Sequence, residues 1–213
     1  YLGRKIGSFG DIACFSFDGI KNITSGEGGC IVTNDKEILQ KVRDARLLGV
    51  QKDSENRYEG KRSWHFDVTT QGWRYHMSDI MASIGLEQLK NFPKTAKIRQ
   101  LLAVKYDELL FNHQAIKPLQ RDYDAVVPHI YVVRILKPHD RNFIQKKLLE
   151  KGIQTGIHYQ PNHKLSFYHS HNALTLPVTD EVHSELLSLP LHPDLTYEDL
   201  EFICEKLKNF VKK

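Results

Sequence analysis

A lysine between two apolar runs is the first residue whose position could do chemistry. Lys21 follows the apolar residues 12–17 and precedes a glycine-rich return, residues 24–29, into a second apolar run at 30–33. Two short strands joined in this way would hold one amine at a fixed point. A partly buried amine is a candidate Schiff-base nucleophile, because burial lowers the pKa of lysine and frees its lone pair. A surface lysine on a hairpin turn is the alternative, and spacing alone does not separate the two.

The glycine-rich segment after this lysine could itself bind a ligand. Residues 24–29 are Thr-Ser-Gly-Glu-Gly-Gly, and consecutive backbone N–H groups in such a loop can cradle a phosphate. The segment lacks the Gly-Lys-Ser/Thr ending of a P-loop and the Gly-x-Gly-x-x-Gly spacing of a dinucleotide-binding loop. A tight turn is therefore the favoured interpretation, and a nucleotide-binding module built on it is the alternative.

Two further clusters carry side chains that bind anions or sugars. Arg74 and His76 lie among aromatic residues and could hold an anion, since arginine is a natural bidentate partner for phosphate. An exposed arginine before a helix explains the same spacing. His158, Tyr159 and His163 offer polar groups in a loop shaped by a proline, for which an ordinary polar loop is the alternative.

The histidines do not predict a metal site. His158, His163, His169 and His171 do not match a familiar zinc spacing, and residues 153–172 contain neither a cysteine nor a carboxylate.

The composition is typical of a soluble globular protein. The chain has 213 residues, of which 40% are hydrophobic and 26% charged. The net charge of +4 is spread along the chain, so no nucleic-acid partner is predicted. There is no signal peptide and no apolar run long enough to cross a bilayer. Cys14, Cys30 and Cys204 lie in apolar patterns, which predicts buried thiols in a reducing compartment and a cytoplasmic protein.

The apolar periodicity predicts an α/β protein. The nearly continuous apolar run at residues 12–17 predicts a strand buried on both faces, and residues 30–33 predict a second strand. Asp35 is a candidate N-cap for the helix that follows. The polar residues 51–62 have no periodicity and predict a mobile loop, which could be a lid over a site.

Helix signals dominate the middle of the chain. Ser78 or Asp79 can begin a helix, and Pro93 is expected to end it before a long helix starts at Thr95. We place a domain boundary here, between residues 1–95 and 96–213.

The second domain is predicted to be a small α/β unit. Its expected elements are a strand at residues 126–135, a helix at 141–151 and a short strand at 153–157. A capping box beginning at Thr196 starts a last helix, whose apolar face predicts part of the core.

Several segments resemble the DegT/DnrJ/EryC1/StrS family of pyridoxal-phosphate-dependent sugar aminotransferases, which have fold type I. The resemblance covers essentially the whole chain, and the lysine hairpin is its most specific part. The matching segments are residues 8–17, 21–22, 26–29, 32–35, 72–79, 84–89, 156–161 and 189–193.

The resemblance implies roles for particular residues. By position, Lys21 resembles the family's Schiff-base lysine, which also moves a proton during transamination. Ser16 resembles the serine that hydrogen-bonds the cofactor phosphate. Arg74 stands where the family usually has an asparagine that reaches the phosphate from the neighbouring subunit, so it would act there as a cation. His158 and Tyr159 lie in a loop that the family uses near the sugar substrate.

The resemblance also implies an architecture of fold type I. Residues 1–95 would be the remainder of a large domain that binds pyridoxal 5'-phosphate, without its N-terminal half, and residues 96–213 the small C-terminal α/β domain. The family's aspartate that pairs with the pyridinium nitrogen lies upstream of the position of Tyr1. We therefore expect the chain to be a fragment that is not active alone, and residues 1–5 also lack an initiator methionine.

The implied function is transfer of an amino group from an amino acid, commonly L-glutamate, to a nucleotide-linked keto-sugar. The expected acceptor is a 4-keto-6-deoxyhexose, and the amino sugar would serve a surface polysaccharide or a glycoside. The family builds its site at a dimer interface, which implies a homodimer with a shared active site. A non-catalytic relative that binds the nucleotide sugar or the cofactor for regulation is the alternative.

Overall fold

The computed structural model describes residues 1–51, 59–61, 66–168 and 175–211, which confirm the predicted mixed α/β character. They divide into two compact units, Tyr1–Phe92 and Pro93–Lys213. The predicted division into domains at residues 1–95 and 96–213 stays a prediction. In chain order the elements are β1 (Ala13–Ser16), β2 (Gly29–Val32), α1 (Lys36–Ala45), α2 (Asp79–Leu110), β3 (Ile116–Pro118), β4 (Tyr131–Ile135), α3 (Arg141–Leu149), a 3₁₀ turn (Asn162–Lys164), α4 (Pro177–His183), β5 (Leu186–Leu189) and α5 (Tyr197–Val211).

The first unit contains an antiparallel ribbon made of β1 and β2. Its register pairs Ala13 with Val32 and Ser16 with Gly29. The prediction that the first strand is buried on both faces is wrong, because β1 is mostly exposed. Within the described residues each strand pairs only with the other, so no further strand extends the ribbon.

Two of the three cysteine predictions are wrong for the same reason. Cys14 and Cys30 lie on the ribbon and are exposed. Cys204 is confirmed as a core residue, and its burial raises the thiol pKa to about 12.

The predicted helix starts are confirmed. Asp35 accepts hydrogen bonds from the N–H groups of Glu37 and Ile38 at 2.7 and 3.1 Å and so caps α1. Ser78 accepts the N–H of Met81 at 3.3 Å in front of α2. Both caps depend on contacts two or three residues along the chain, which is why the local sequence reveals them.

Helix α2 continues where a break was predicted. It runs through Pro93, which lies inside its 32 residues. Proline removes one backbone donor from a helix and crowds the carbonyl four residues earlier, which together cost about 3 kcal/mol. The turns on both sides, with Leu89 and Ala96 among good helix formers, continue the helix in both directions.

The second unit is built on a three-stranded antiparallel sheet in the order β3-β4-β5. Alternate residues of β4, namely Tyr131, Val133 and Ile135, enter the hydrophobic core. The core is completed by apolar residues of the C-terminal half of α2, of α3, of β5 and of α5, among them Leu102, Tyr106, Ile144, Leu148, Leu187, Leu200 and Leu207.

The strand predictions in this unit need two corrections. The strand predicted at 126–135 is shorter, because the N–H groups of Ala125 and Val126 bond the carbonyl of Asp122 in a turn. The strand predicted at 153–157 is a single bridge between Gly156 and Ser188. The predicted loop at 51–62 falls mostly on residues outside the described ranges.

The capping box of α5 is confirmed. Thr196 Oγ accepts the N–H of Asp199 at 3.2 Å, and the Asp199 carboxylate accepts the N–H and the hydroxyl of Thr196 at 2.9 Å each. The cap directs Leu200, Ile203 and Leu207 into the core. No helix in the described ranges is both long and apolar enough to cross a membrane.

The cap makes the stability of the fold depend on pH. The hydrogen bonds from Thr196 lower the pKa of the Asp199 carboxyl, so the charged form stabilises the fold. This contribution is complete above the ordinary aspartate pKa of about 3.9 and is lost as pH falls through the lowered folded value. We expect Asp199→Asn to weaken the acid dependence of the unfolding midpoint below this pH. Asp194→Asn is the control, because that side chain is 96% exposed, and equal curves for both variants would contradict the prediction.

Candidate active site

The candidate site in the first unit is the loop that joins β1 to β2. Phe17 closes this loop at both of its backbone groups: its N–H donates to the Gly28 carbonyl at 2.8 Å, and its carbonyl accepts the N–H of Ser25 at 2.9 Å. Lys21 lies within the closed loop and is half-buried. The structure therefore holds this amine on a defined turn.

Ser16 and Lys21 are brought together through Asp18. The Asp18 N–H donates to Ser16 Oγ at 3.2 Å, and the Asp18 carbonyl accepts the N–H of Lys21 at 3.0 Å. The Asp18 carboxylate also accepts the N–H of Ile20 at 3.0 Å. A serine hydroxyl that accepts a hydrogen bond in this way keeps its own proton for another acceptor.

The Lys21 amine is not paired within the described part of the chain, where its Nζ makes neither a hydrogen bond nor an ion pair. An amine without a protein partner is open to a ligand, and this geometry is compatible with the candidate nucleophile.

Glycines allow the return strand to approach the loop. A Cβ on Gly29 would lie 2.6 Å from the carbonyl oxygen of Phe15, and one on Gly28 would lie 2.6 Å from both Ser25 Oγ and Met77 Cε. Ser25 is fully buried at this point. The close approach of the two strands, which shapes the loop around Lys21, is therefore possible only without side chains at these two positions.

The segment 24–29 has the turn geometry that was favoured from the sequence. The Gly26 N–H is already bonded to Thr24 Oγ1 at 2.9 Å, and the hydroxyl of Ser25 donates to the Glu27 carbonyl at 2.8 Å. A donor that is occupied in this way is not available to a phosphate, which weakens the nucleotide-binding alternative.

Arg74 lies on another part of the first unit. Its backbone forms a bridge with Leu47, and the neighbouring Trp73 and Tyr75 donate their N–H groups to the carbonyls of Ala45 and Arg46. The Arg74 side chain is exposed and makes no ion pair within the described residues. Within those residues no hydrogen bond, ion pair or ring contact joins its side chain to Ser16 or Lys21.

His158 and Tyr159 belong to the second unit, where their rings meet edge to face with centroids 5.0 Å apart. His158 Nδ1 is hydrogen-bonded to the hydroxyl of Ser188 at 2.8 Å. The Tyr159 side chain is largely exposed. Ser188 was not predicted from the sequence, although a single hydroxyl in the run Leu-Leu-Ser-Leu was a usable signal.

The nearby charged groups form a separate cluster. Asp180 contacts His163 at 3.0 Å and Lys164 at 2.7 Å, and the hydrogen bond from Lys164 is the main reason that the Asp180 pKa is lowered. Burial, with Arg141 and Lys164 nearby, lowers the pKa of His183. Across the described ranges, no three His, Cys, Asp or Glu side chains lie close enough to hold a metal ion; His169 and His171 lie outside those ranges.

Substitution of Gly29 tests whether the close approach of the two strands requires a residue without a side chain. Gly29→Ala should lower the free energy of unfolding by about 1–3 kcal/mol, because the new Cβ meets backbone that cannot move aside. Hydrogen exchange should rise at the Phe17 N–H, which bonds Gly28. Gly85→Ala is the control, since its Cβ would make an ordinary contact of 3.4 Å with Ser25. Unchanged exchange at Phe17 in the first variant would show that the approach is not required.

Comparison with known proteins shows what this chain is similar to. The chain is 30% identical over 217 residues to the UDP-4-amino-4,6-dideoxy-N-acetyl-β-L-altrosamine transaminase of Campylobacter jejuni strain 81-176, covering 100% of the chain and 56% of that protein. It matches the solved structure of Helicobacter pylori PseC, an aminotransferase of pseudoaminic acid biosynthesis, with a TM-score of 0.90, 27% identity and coverage of 100% of the chain and 56% of PseC.

A third match is a solved structure in its PLP form. The PLP form of Spr1654 from Streptococcus pneumoniae superposes with a TM-score of 0.84 and 28% identity, covering 100% of the chain and 54% of that protein. The chain thus spans a little over half the length of the relatives it matches. The family model of the DegT/DnrJ/EryC1/StrS aminotransferases matches residues 1–208. The chain belongs to the DegT/DnrJ/EryC1/StrS aminotransferase family.

Proposed function

We propose that this chain is the lysine-bearing part of a pyridoxal-phosphate-dependent aminotransferase that acts on a nucleotide-linked keto-sugar. The amino donor would be L-glutamate, the acceptor a 4-keto-6-deoxyhexose, and the product an amino sugar for a surface polysaccharide or a glycoside. The observation that carries the proposal is the half-buried, unpaired Lys21 amine on its closed turn.

The residues of the turn fit pyridoxal 5'-phosphate. Lys21 offers an amine to the aldehyde, and the Ser16 hydroxyl, linked to it through Asp18, has a proton to donate to a phosphate oxygen. When bound, the cofactor supplies an aldehyde that condenses with amines and a ring that withdraws electrons from the substrate carbon.

Lys21 would have two tasks in this reaction. Its Nζ is the attachment point for the aldehyde, and once released it is the amine that moves a proton at the substrate carbon. The closed turn suits both tasks, because it keeps the Lys21 backbone at one place in the loop.

Arg74 is proposed to serve the site of the neighbouring subunit. It is exposed, and within the described residues it makes no ion pair and no hydrogen bond to its own Lys21 loop. A guanidinium in that situation can bind a phosphate bidentately. This role requires a homodimer with shared active sites, which we propose as the working state.

The sugar is proposed to contact His158 and Tyr159. Both rings present polar groups at an accessible surface, and Tyr159 is 66% exposed. The name of the Campylobacter relative, a transaminase of a UDP-linked amino sugar, supports a nucleotide sugar as the substrate class.

The first test detects the covalent link between Lys21 and pyridoxal phosphate. The full-length protein incubated with pyridoxal phosphate and then borohydride should carry the cofactor on the peptide that contains Lys21, as read by mass spectrometry. Lys21→Ala should lose the adduct and the yellow colour while keeping its fold. Lys41→Ala, which changes an exposed lysine of α1, is the control and should keep both. An adduct that persists in Lys21→Ala would refute the role of this lysine, and no adduct at all would favour a non-catalytic relative.

The second test asks whether the site is shared. Lys21→Ala and Arg74→Ala should each reduce transamination in the homodimer. Co-expression should restore it, because a mixed dimer contains one site with both residues intact. The restored activity should approach about half that of wild type per mixed dimer, since one of the two sites carries both changes. Arg74→Asn should keep cofactor affinity if an amide can replace the guanidinium, and failure of the mixed dimer to recover would contradict the cross-subunit role.

A further inference from the structure

Ser188 is a polar residue in the middle of an apolar strand of the second unit. Its neighbours Leu187 and Leu189 enter the hydrophobic core, so the strand alternation turns the Ser188 side chain to the opposite face of the sheet. Ser188 is nevertheless only 5% exposed. A buried hydroxyl costs free energy unless it is hydrogen-bonded, and an apolar residue would serve folding equally well here.

The backbone of Ser188 is held on both sides. It pairs with Val132 of β4 on one edge. On the other edge Ser188 and Gly156 exchange two hydrogen bonds, of 2.8 and 2.9 Å. The position of the hydroxyl is therefore set by the sheet.

The hydroxyl meets the His158 ring, which is confined on three sides. Ser188 Oγ lies 2.8 Å from Nδ1, and the Tyr159 ring packs edge-on against the imidazole. The third side is Gly156, where a Cβ would lie 2.7 Å from the ring carbon Cε1. The other ring nitrogen, Nε2, makes no hydrogen bond within the part of the chain that the structure describes.

We propose that Ser188 is a positioning residue for sugar recognition: its hydroxyl fixes the orientation of His158 and, by donating to Nδ1, selects the tautomer with the proton on Nε2. A hydroxyl can donate or accept; when it donates, Nδ1 is the acceptor and Nε2 carries the ring proton as a hydrogen-bond donor. A ring prepared in this way binds a sugar hydroxyl or carbonyl without first losing rotational freedom. The sugar as ligand rests on the proposed function, whereas the effect of Ser188 on the ring does not.

The decisive measurement is the tautomer of His158 in the protein labelled with ¹⁵N-histidine. We expect one dominant tautomer in the wild type and a mixture of both in Ser188→Ala. Ser188→Thr keeps the hydroxyl and should restore the wild-type spectrum. Ser184→Ala is the matched control, because it removes a hydroxyl that only caps a helix carbonyl at 2.8 Å. An unchanged tautomer in Ser188→Ala would overturn the proposal.

Binding of a sugar nucleotide provides the second measurement. The probe is UDP-4-amino-4,6-dideoxy-N-acetyl-β-L-altrosamine, titrated into the holoenzyme. Ser188→Ala should raise Kd about 3- to 10-fold, as expected for one positioning hydrogen bond. If Ser188 acts through His158, the double variant with His158→Ala should bind as weakly as His158→Ala alone. Additive losses, or a wild type that does not bind the probe, would overturn the sugar-recognition part.

The two proposals can fail separately. Absence of the Lys21 adduct with a tautomer change in Ser188→Ala would remove the proposed function and leave the positioning role. An adduct on Lys21 with an unchanged tautomer would do the reverse. If Ser188→Ala does not fold, Ser188→Cys replaces it, because a thiol of similar size is only a weak hydrogen-bonding group.

Discussion

The two backbone hydrogen bonds of Phe17 are the constraint on which the Lys21 site depends. They close the loop between β1 and β2, and they form only because the return strand approaches without side chains at Gly28 and Gly29. Within the closed loop, the Asp18 backbone links the Ser16 hydroxyl to the Lys21 turn. The backbone that carries the Lys21 side chain is thus held by main-chain contacts, which do not depend on the identity of the surrounding side chains.

The second unit orients its polar groups by a similar device. Gly156 leaves room for the His158 ring, and the sheet holds Ser188 beneath it. In both units a glycine provides space where a side chain lies against the backbone. The hydrophobic core lies on the other face of the β3-β4-β5 sheet, so the core and the His158–Ser188 contact use opposite faces of the same strand.

Features that depend on neighbours in the chain were predictable from the sequence. Asp35, Ser78 and Thr196 cap helices through hydrogen bonds to residues at most three positions away, and each was identified. Features that depend on which segments cover a strand or helix were not predictable from the sequence. Cys14 has an apolar context but is exposed on the β1-β2 ribbon, and Pro93 does not end a helix that its flanking turns continue.

The sequence by itself determined the family and the mixed α/β character, because the lysine hairpin and the motifs after it are local patterns in a fixed order. The tertiary structure decided which groups meet. It joined His158 to Ser188, which lie 30 residues apart, and it paired the backbone of Arg74 with that of Leu47. The physical reason is that strand pairing between distant segments sets these neighbours, and the spacing of residues along one chain carries no record of that pairing.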